Sequence, residues 1–212
     1  MSITPATTPG GRARQVADAA IAVLADHGGR GLTHRAVDQA AGLPPGTTSN
    51  YARTREALLT LTLTRIAELD AADGADGLAG PEAGGRDGSD AGGAGLADAL
   101  ARMLHRMITD TGARRRLLAR FELAFEATRR PELRVAYDEL GGRFRAEAAR
   151  LLASAGSAEP DRDAWTLVAW MEGTAFYALA GAGGPAVPSA AALRAQAARL
   201  LADLCDDDPG AS

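Results

Sequence analysis

The chain has 212 residues, 46% of them hydrophobic and 24% charged, enough for one large buried core or two small ones and the balance of a soluble globular protein. Aromatics make up only 4%, and alanine and leucine dominate, so helices are favoured and a sheet-based fold is excluded as the first expectation. The formal net charge is −4, but residues 1–64 hold six arginines against four carboxylates, so a basic end suited to phosphates precedes an acidic body that is not.

In chain order, residues 1–11 are rich in Thr, Pro and Gly and are expected to be a disordered tail. A first helix is expected over 12–27, with Val16, Ala20, Val23 and Leu24 on one face and Gly28-Gly29 as its stop. Residues 31–58, GLTHRAVDQAAGLPPGTTSNYARTREAL, have the spacing of a helix-turn-helix. Thr33 is a good N-cap for a short helix whose apolar positions are Ala36, Val37, Ala40 and Ala41. Gly42 supplies a left-handed turn, Leu43 plugs the angle between the helices, and Pro44-Pro45 ends the turn. The second helix, expected from Pro45 to Tyr51, carries Thr47, Thr48, Ser49, Asn50 and Tyr51 and has little apolar surface. A short polar helix held at a fixed angle by a small buried one is the geometry that enters a DNA major groove.

The matching positions are Gly31-Leu32-Thr33, Ala41-Gly42-Leu43, Gly46-Thr47, Tyr51 and Arg55-Glu56-Ala57-Leu58. On these the segment resembles the N-terminal DNA-binding domain of TetR-family (tetracycline-repressor-like) transcriptional regulators, over residues 12–69. It departs at Ala52, where the family usually has Phe, and at Ser49, where many members have Tyr. The resemblance implies an all-α protein of about nine helices. An N-terminal three-helix DNA-binding domain over 12–58, with its motif at 33–52, would precede a ligand-binding and dimerisation domain over 59–205. The candidate DNA-binding residues are Thr33, Arg35, Pro45, Gly46, Thr47, Thr48, Ser49, Asn50, Tyr51 and Arg55. Asn50 can pair bidentately with adenine, and Thr47 and Thr48 offer hydroxyls to base edges or phosphates. Tyr51 and Arg55 are placed for phosphate oxygens. Arg35 matches a position where the resemblance implies a base-reaching arginine.

A fourth helix is expected from Thr54 to about Leu69. Residues 70–95 repeat Gly, Ala and Asp around a single Leu and are expected to be a flexible loop. Further helices are expected over 96–110, 113–129, 131–155, 162–180 and 189–204, with a disordered tail at 206–212. The helix at 162–180 is apolar nearly all round, so it must be covered on every side, and a partner subunit is expected on one of them. The helix at 189–204 also has a spare apolar face. Met171, Leu179, Leu193 and Leu200 are the candidate dimerisation residues of a homodimer.

The body's larger side chains include Met103, Met107, Phe121, Phe125, Tyr137, Phe144, Trp165 and Trp170. Any one of them can simply fill a core, but the resemblance tips the set toward an apolar pocket for a small hydrophobic effector. Glu122 and Glu126, four apart, and Glu172 are each expected to meet ligand or an arginine, with the arginine pair favoured. Enzyme chemistry finds little support. His27, His34, His105 and Cys205 lack metal-ligand spacing, so no metal and no cofactor is expected. The segment Gly181-Ala182-Gly183-Gly184 follows a helix rather than a strand and reads as a helix stop. Cys205 alone cannot form an internal disulfide, and it reads as a small core residue. The opening MSITPATTPGGRAR lacks the apolar stretch of a leader, and the apolar run at 164–180 is short against the ~20 residues of a membrane span. A cytoplasmic protein with no membrane partner is expected. The reading that follows is a ligand-responsive repressor that binds a pseudo-palindromic operator in double-stranded DNA as a dimer. A ligand-independent architectural DNA binder and a helical enzyme or carrier with a vestigial head are the alternatives.

Overall fold

A computed structural model describes residues 9–78, 91–182 and 187–205. Among them the chain forms nine α-helices and no strand. They are α1 (Pro9–Gly31), α2 (His34–Ala40), α3 (Thr47–Tyr51), α4 (Arg55–Leu78), α5 (Ala91–Thr109), α6 (Thr111–Ala127), α7 (Pro131–Ser154), α8 (Pro160–Ala180) and α9 (Ala190–Cys205). No helix among the described residues is long and apolar enough to cross a membrane. Two compact units emerge, one of residues up to Asp70 with Arg115–Asp138, the other of Ala71–Arg114 with Glu139 onward. The division falls within α4, α6 and α7.

In the first unit, α1 packs against α2 and α3. Val16, Ala20, Val23 and Leu24 are buried on α1 as their spacing predicts, together with Leu32, Val37, Leu58, Leu59 and Ile66. Helix α1 begins at Pro9, inside the expected tail, and breaks at Gly28 (φ 66) before one more turn to Gly31. Two caps stand as read from the sequence. Thr33 Oγ1 accepts the Ala36 N–H at 3.1 Å, and Thr54 Oγ1 accepts the Ala57 N–H at 3.1 Å. Ala40, expected on the apolar face of α2, is exposed, because that short helix buries only the side carrying Val37 and Asp38.

In the second unit, α5 packs chiefly against α9 and also against α8. Ala97, Leu100, Ala148, Ala149, Leu152, Ala164, Leu167, Ala197 and Leu201 form its core, with Met103, Trp170, Met171, Leu200 and Cys205 packed against it. Arg194 Nε on α9 meets Asp98 Oδ1 on α5 at 2.8 Å. Pro160 opens α8 at a position where its missing N–H costs nothing, and Ser189 Oγ caps α9 through the Ala192 N–H at 3.1 Å.

Part of the expected 70–95 loop is helical. Helix α4 continues to Leu78 and α5 starts at Ala91, so only 79–90 of that segment lies outside the described residues. Extending an existing helix through alanine costs little once its first turn is made. Ion pairs hold the extension within each unit, Asp70 with Arg116 at 3.1 Å and Asp73 with Arg106 at 2.6 Å. Periodicity could not register these contacts, because their partners are distant in the chain. The expected disorder of residues 1–8 and 206–212 also lies outside the described residues, as do Gly183 and Gly184. Gly181 does end α8, its N–H donating to the Tyr177 carbonyl at 3.0 Å.

Candidate nucleic-acid interface

The turn between α2 and α3 contains two glycines with left-handed backbone, Gly42 (φ 64) and Gly46 (φ 88). A side chain at either would be strained, and within these five residues the chain passes from α2 to α3. Helix α3 therefore starts at Thr47, later than the expected Pro45. Pro44 and Pro45 stay in the turn, where the Pro44 carbonyl accepts both the Thr47 N–H at 3.1 Å and the Thr47 hydroxyl at 2.6 Å.

Helix α3 is five residues long, and its face is divided. Ser49, Asn50 and Tyr51 are exposed, as are Thr33, Arg35, Pro45 and Gly46 around it. Thr48 is not. It is 0% exposed, and its hydroxyl donates to Asp38 Oδ1 at 2.6 Å. The expected base or phosphate contact by Thr48 is thus corrected: a side chain fully enclosed by its own domain has no surface to offer DNA. Thr47 is half-buried, with its hydroxyl hydrogen spent on Pro44.

Arg55 is engaged within its own unit. Its Nη1 donates to the Leu32 carbonyl at 2.6 Å and its Nη2 to the Gly29 carbonyl at 2.5 Å, with Glu126 Oε2 at 3.9 Å. These contacts tie the start of α4 to the end of α1 and hold the guanidinium against its own unit. Arg53, two residues beyond α3, was missed. It is exposed and makes no hydrogen bond or ion pair among the described residues. Arg35 stands likewise. The signal for Arg53 was its place just outside the motif, where a flexible cation borders the polar helix.

The second missed residue is Asp38, on the face of α2 that looks at α3. Its carboxylate is 3% exposed and accepts three donors. These are the Gly46 N–H at 2.7 Å, the Thr48 N–H at 2.7 Å and the Thr48 hydroxyl. Burial alone would raise this carboxyl. The hydrogen bonds from Thr48 and Gly46, with the nearby His34, outweigh it and hold Asp38 below the ordinary carboxylate range. Glu126 behaves similarly. Burial raises it, but the Arg130 hydrogen bond at 2.9 Å and the charges of Arg130, Arg55 and Arg129 bring it below its usual value. Glu126 thereby meets arginine. Glu122 accepts the Gly29 N–H at 2.9 Å, and no arginine pairs with it among the described residues. Glu172, expected inside an apolar helix, is exposed.

The residues expected to line an effector pocket divide as well. Met103, Met107, Phe144 and Trp170 are half-buried in the second unit, and Phe121 and Tyr137 are half-buried in the first. Phe125 is 55% and Trp165 64% exposed, so neither is a wall of an enclosed cavity. Arg145 lies over the Trp165 ring at 4.6 Å, a contact made from the protein's surface. Among the dimerisation residues, Leu193 is 0% exposed inside its own chain and cannot face a partner, whereas Met171, Leu179 and Leu200 are half-buried.

Residues 91–206, more than half the chain, match the tetracyclin repressor-like C-terminal domain family. No curated protein matches the sequence. Solved structures do. A TetR-family member from Streptomyces coelicolor A3 is 27% identical, with 89% of this chain and 97% of that one covered and a TM-score of 0.67. The multidrug binding protein EbrR, solved with proflavin, is 28% identical over 89% of this chain and 99% of its own, with a TM-score of 0.57. A transcriptional regulator from Rhodococcus sp. Rha1 shares the fold at 20% identity and a TM-score of 0.72, over 92% of this chain and 96% of that one. A helix-turn-helix with an exposed polar second helix, followed by a body that matches the family's C-terminal domain, leads to one conclusion: the chain belongs to the TetR family of transcriptional regulators.

Proposed function

We propose that this regulator is a repressor that binds a pseudo-palindromic operator as a homodimer and is released by a small hydrophobic effector. Residues 12–58 serve as the DNA-binding head and 59–205 as the regulatory body. The observation that carries the reading is the exposed row Ser49, Asn50 and Tyr51 on α3, next to the exposed Arg35 of α2. Asn50 offers an amide donor and acceptor pair suited to the adenine edge and Arg35 two donors suited to the guanine edge, while Tyr51 and Arg53 supply phosphate contacts. Two copies of α3 about one helical turn, ~34–36 Å, apart would read successive major grooves.

The partner is a second copy, met through α8 and α9. On α8 the exposed residues Trp165, Ala169, Gly173, Phe176 and Ala180 recur every three or four positions and so share a face. On α9 Ala191, Ala195, Ala198 and Ala202 do the same. Small residues in a row let two helices approach closely, and an apolar face of two adjacent helices suits a symmetric four-helix contact.

The effector site lies in the second unit, around Met103, Met107, Phe144 and Trp170. EbrR is a multidrug binding protein solved with proflavin and with ethidium, which supports a planar, largely apolar effector class. Such a compound acts by binding better to a state that does not fit the operator.

Selection of duplexes from a random library with the purified chain tests the reading. Enrichment of an inverted repeat is expected, and its release by a hydrophobic aromatic compound that also raises the melting temperature. Failure to enrich any sequence overturns the DNA half; a bound repeat that no such compound releases overturns the sensor half and favours an architectural binder.

A further inference from the structure

Helix α3 has only five residues and one buried side chain, Thr48. So short a helix does not hold itself, because its first turn fixes several residues for a single hydrogen bond. Its N-cap residue, Gly46, has no side chain to satisfy the free N–H groups. The residue that ends it, Ala52, is buried but contributes a single methyl. Something outside α3 must fix it.

Two side chains of α2 meet its two ends. At the N-terminal end, Asp38 gathers the Gly46 N–H on Oδ2 and the Thr48 N–H and hydroxyl on Oδ1. At the C-terminal end, His34 Nε2 lies 2.7 Å from the Ala52 carbonyl. A carbonyl oxygen only accepts, so Nε2 carries the proton. His34 and Asp38 are one turn apart and share a face of α2. Neither is needed for apolar packing, and Asp38 is too enclosed to reach DNA itself.

We propose that His34 and Asp38 are positioning residues for DNA recognition, a polar clamp that holds both ends of α3 and sets how Ser49, Asn50 and Tyr51 are presented. The inference rests on the reading of α3 as the DNA-contacting helix. The clamp works through hydrogen bonds whose directions are fixed, so it defines rotation as well as position of α3. An apolar contact of the same area would leave the rotation looser.

The probes are the most enriched duplex of about 30 base pairs from the random selection and a scrambled duplex of equal length. Asp38→Asn keeps one acceptor oxygen and turns the other into a donor. The Gly46 N–H then loses its acceptor while the Thr48 N–H keeps one. Hydrogen exchange is expected to quicken at Gly46 more than at Thr48, with amides of α9 unchanged. Affinity for the enriched duplex should fall about tenfold, more than for the scrambled one, with no change in salt slope, since no phosphate contact is removed. His34→Ala should weaken the enriched duplex about fivefold, and His34→Gln, whose amide nitrogen reaches a similar place, should recover most of it. If Asp38→Asn does not fold, Thr48→Val removes only the hydroxyl and should still lower selectivity for the enriched duplex. Variants that bind the enriched duplex as the wild type does overturn the clamp, and so does a loss that changes the salt slope by a full unit. A wild-type chain that enriches no duplex overturns the DNA reading instead. In that case equal exchange at Gly46, Thr48 and the exposed Ser49 would overturn the clamp separately.

Discussion

Arg35, Arg53 and Arg55 lie within a few residues of the same motif, yet their surroundings assign them different consequences. Arg55→Ala removes two hydrogen bonds to carbonyls, which then lose their partners, so it should destabilise the first unit by about 2 kcal/mol, read by urea unfolding. It should leave the salt dependence of DNA binding nearly unchanged. Arg53→Ala should do the reverse, lowering the salt slope by about one with little effect on stability. Arg35→Ala should cost ~1–3 kcal/mol on the selected operator and relax a single base-pair position; equal losses on operator and random DNA would refute a base contact. The acid limb of stability has its own residues. Asp38 and Glu126 both titrate lower in the folded chain than in the unfolded one. Their contribution is therefore complete above the ordinary carboxylate range, about pH 4 to 5, and is lost as pH falls through the depressed folded values. Unfolding measured across pH should be insensitive to these groups near neutrality and should weaken below that range. Glu126→Gln should make the acid fall shallower; an unchanged slope would show that Glu126 does not report the folded state. Asp38 was invisible in the sequence as a buried residue because an aspartate beside Val37 reads as the solvent side of a short helix. Only the position of α3 turns that side inward.

Among the helices, α8 and α9 show how a face read as apolar divides once packing is known. Leu193 and Leu200 are seven apart on α9 and look equivalent in periodicity, but Leu193 is fully enclosed and Leu200 only partly. Leu193→Ala should therefore cost about 2–5 kcal/mol through the cavity it leaves. Ala195→Arg, on the exposed stripe, should leave the fold intact and yield monomers by sedimentation. If Ala195→Arg still sediments as a dimer, the face proposed for the second copy is wrong. The ends of elements followed chemistry more closely. Thr33, Thr54, Pro131 and Ser189 stand at or beside the helix starts the sequence suggests. Starts marked by such residues are legible because a cap acts over three residues, whereas those of α1, α3 and α5 fall elsewhere than expected. The extension of α4 to Leu78 was not legible, because alanine and glycine repeats are compatible with helix or loop, and the ion pairs that decide between them join residues far apart in sequence.

For the molecule as a whole, the two tryptophans separate surface from interior. Trp165 is largely exposed and Trp170 is packed against the α5–α8–α9 core. A Trp165→Phe variant leaves Trp170 as the reporter. An effector bound near Met103 and Phe144 should change that fluorescence and, at about a hundredfold excess over its dissociation constant, stabilise the chain by roughly 2.7 kcal/mol. A compound that stabilises the chain and releases DNA without altering Trp170 emission would place its site elsewhere. The all-helical class and the helix-turn-helix followed from alanine and leucine periodicity, from caps, and from Gly42 in its left-handed turn. Those signals are local, each the outcome of a few neighbouring residues and their backbone preferences.

What the sequence by itself determined, then, was the class, the helical elements, and which short segment presents polar groups in place of apolar ones. What tertiary structure alone decided was which of those polar groups remain available. Thr48 and Ser49 are adjacent hydroxyls with the same hydrogen-bonding capacity, yet one is locked on Asp38 and the other is exposed. Arg53 and Arg55 carry the same guanidinium, yet one is free among the described residues and the other is bound to Leu32 and Gly29. Side-chain chemistry is written in the chain, but a donor's availability depends on whether folding brings an acceptor within about 3 Å of it, and that distance is set by helices packing across tens of residues.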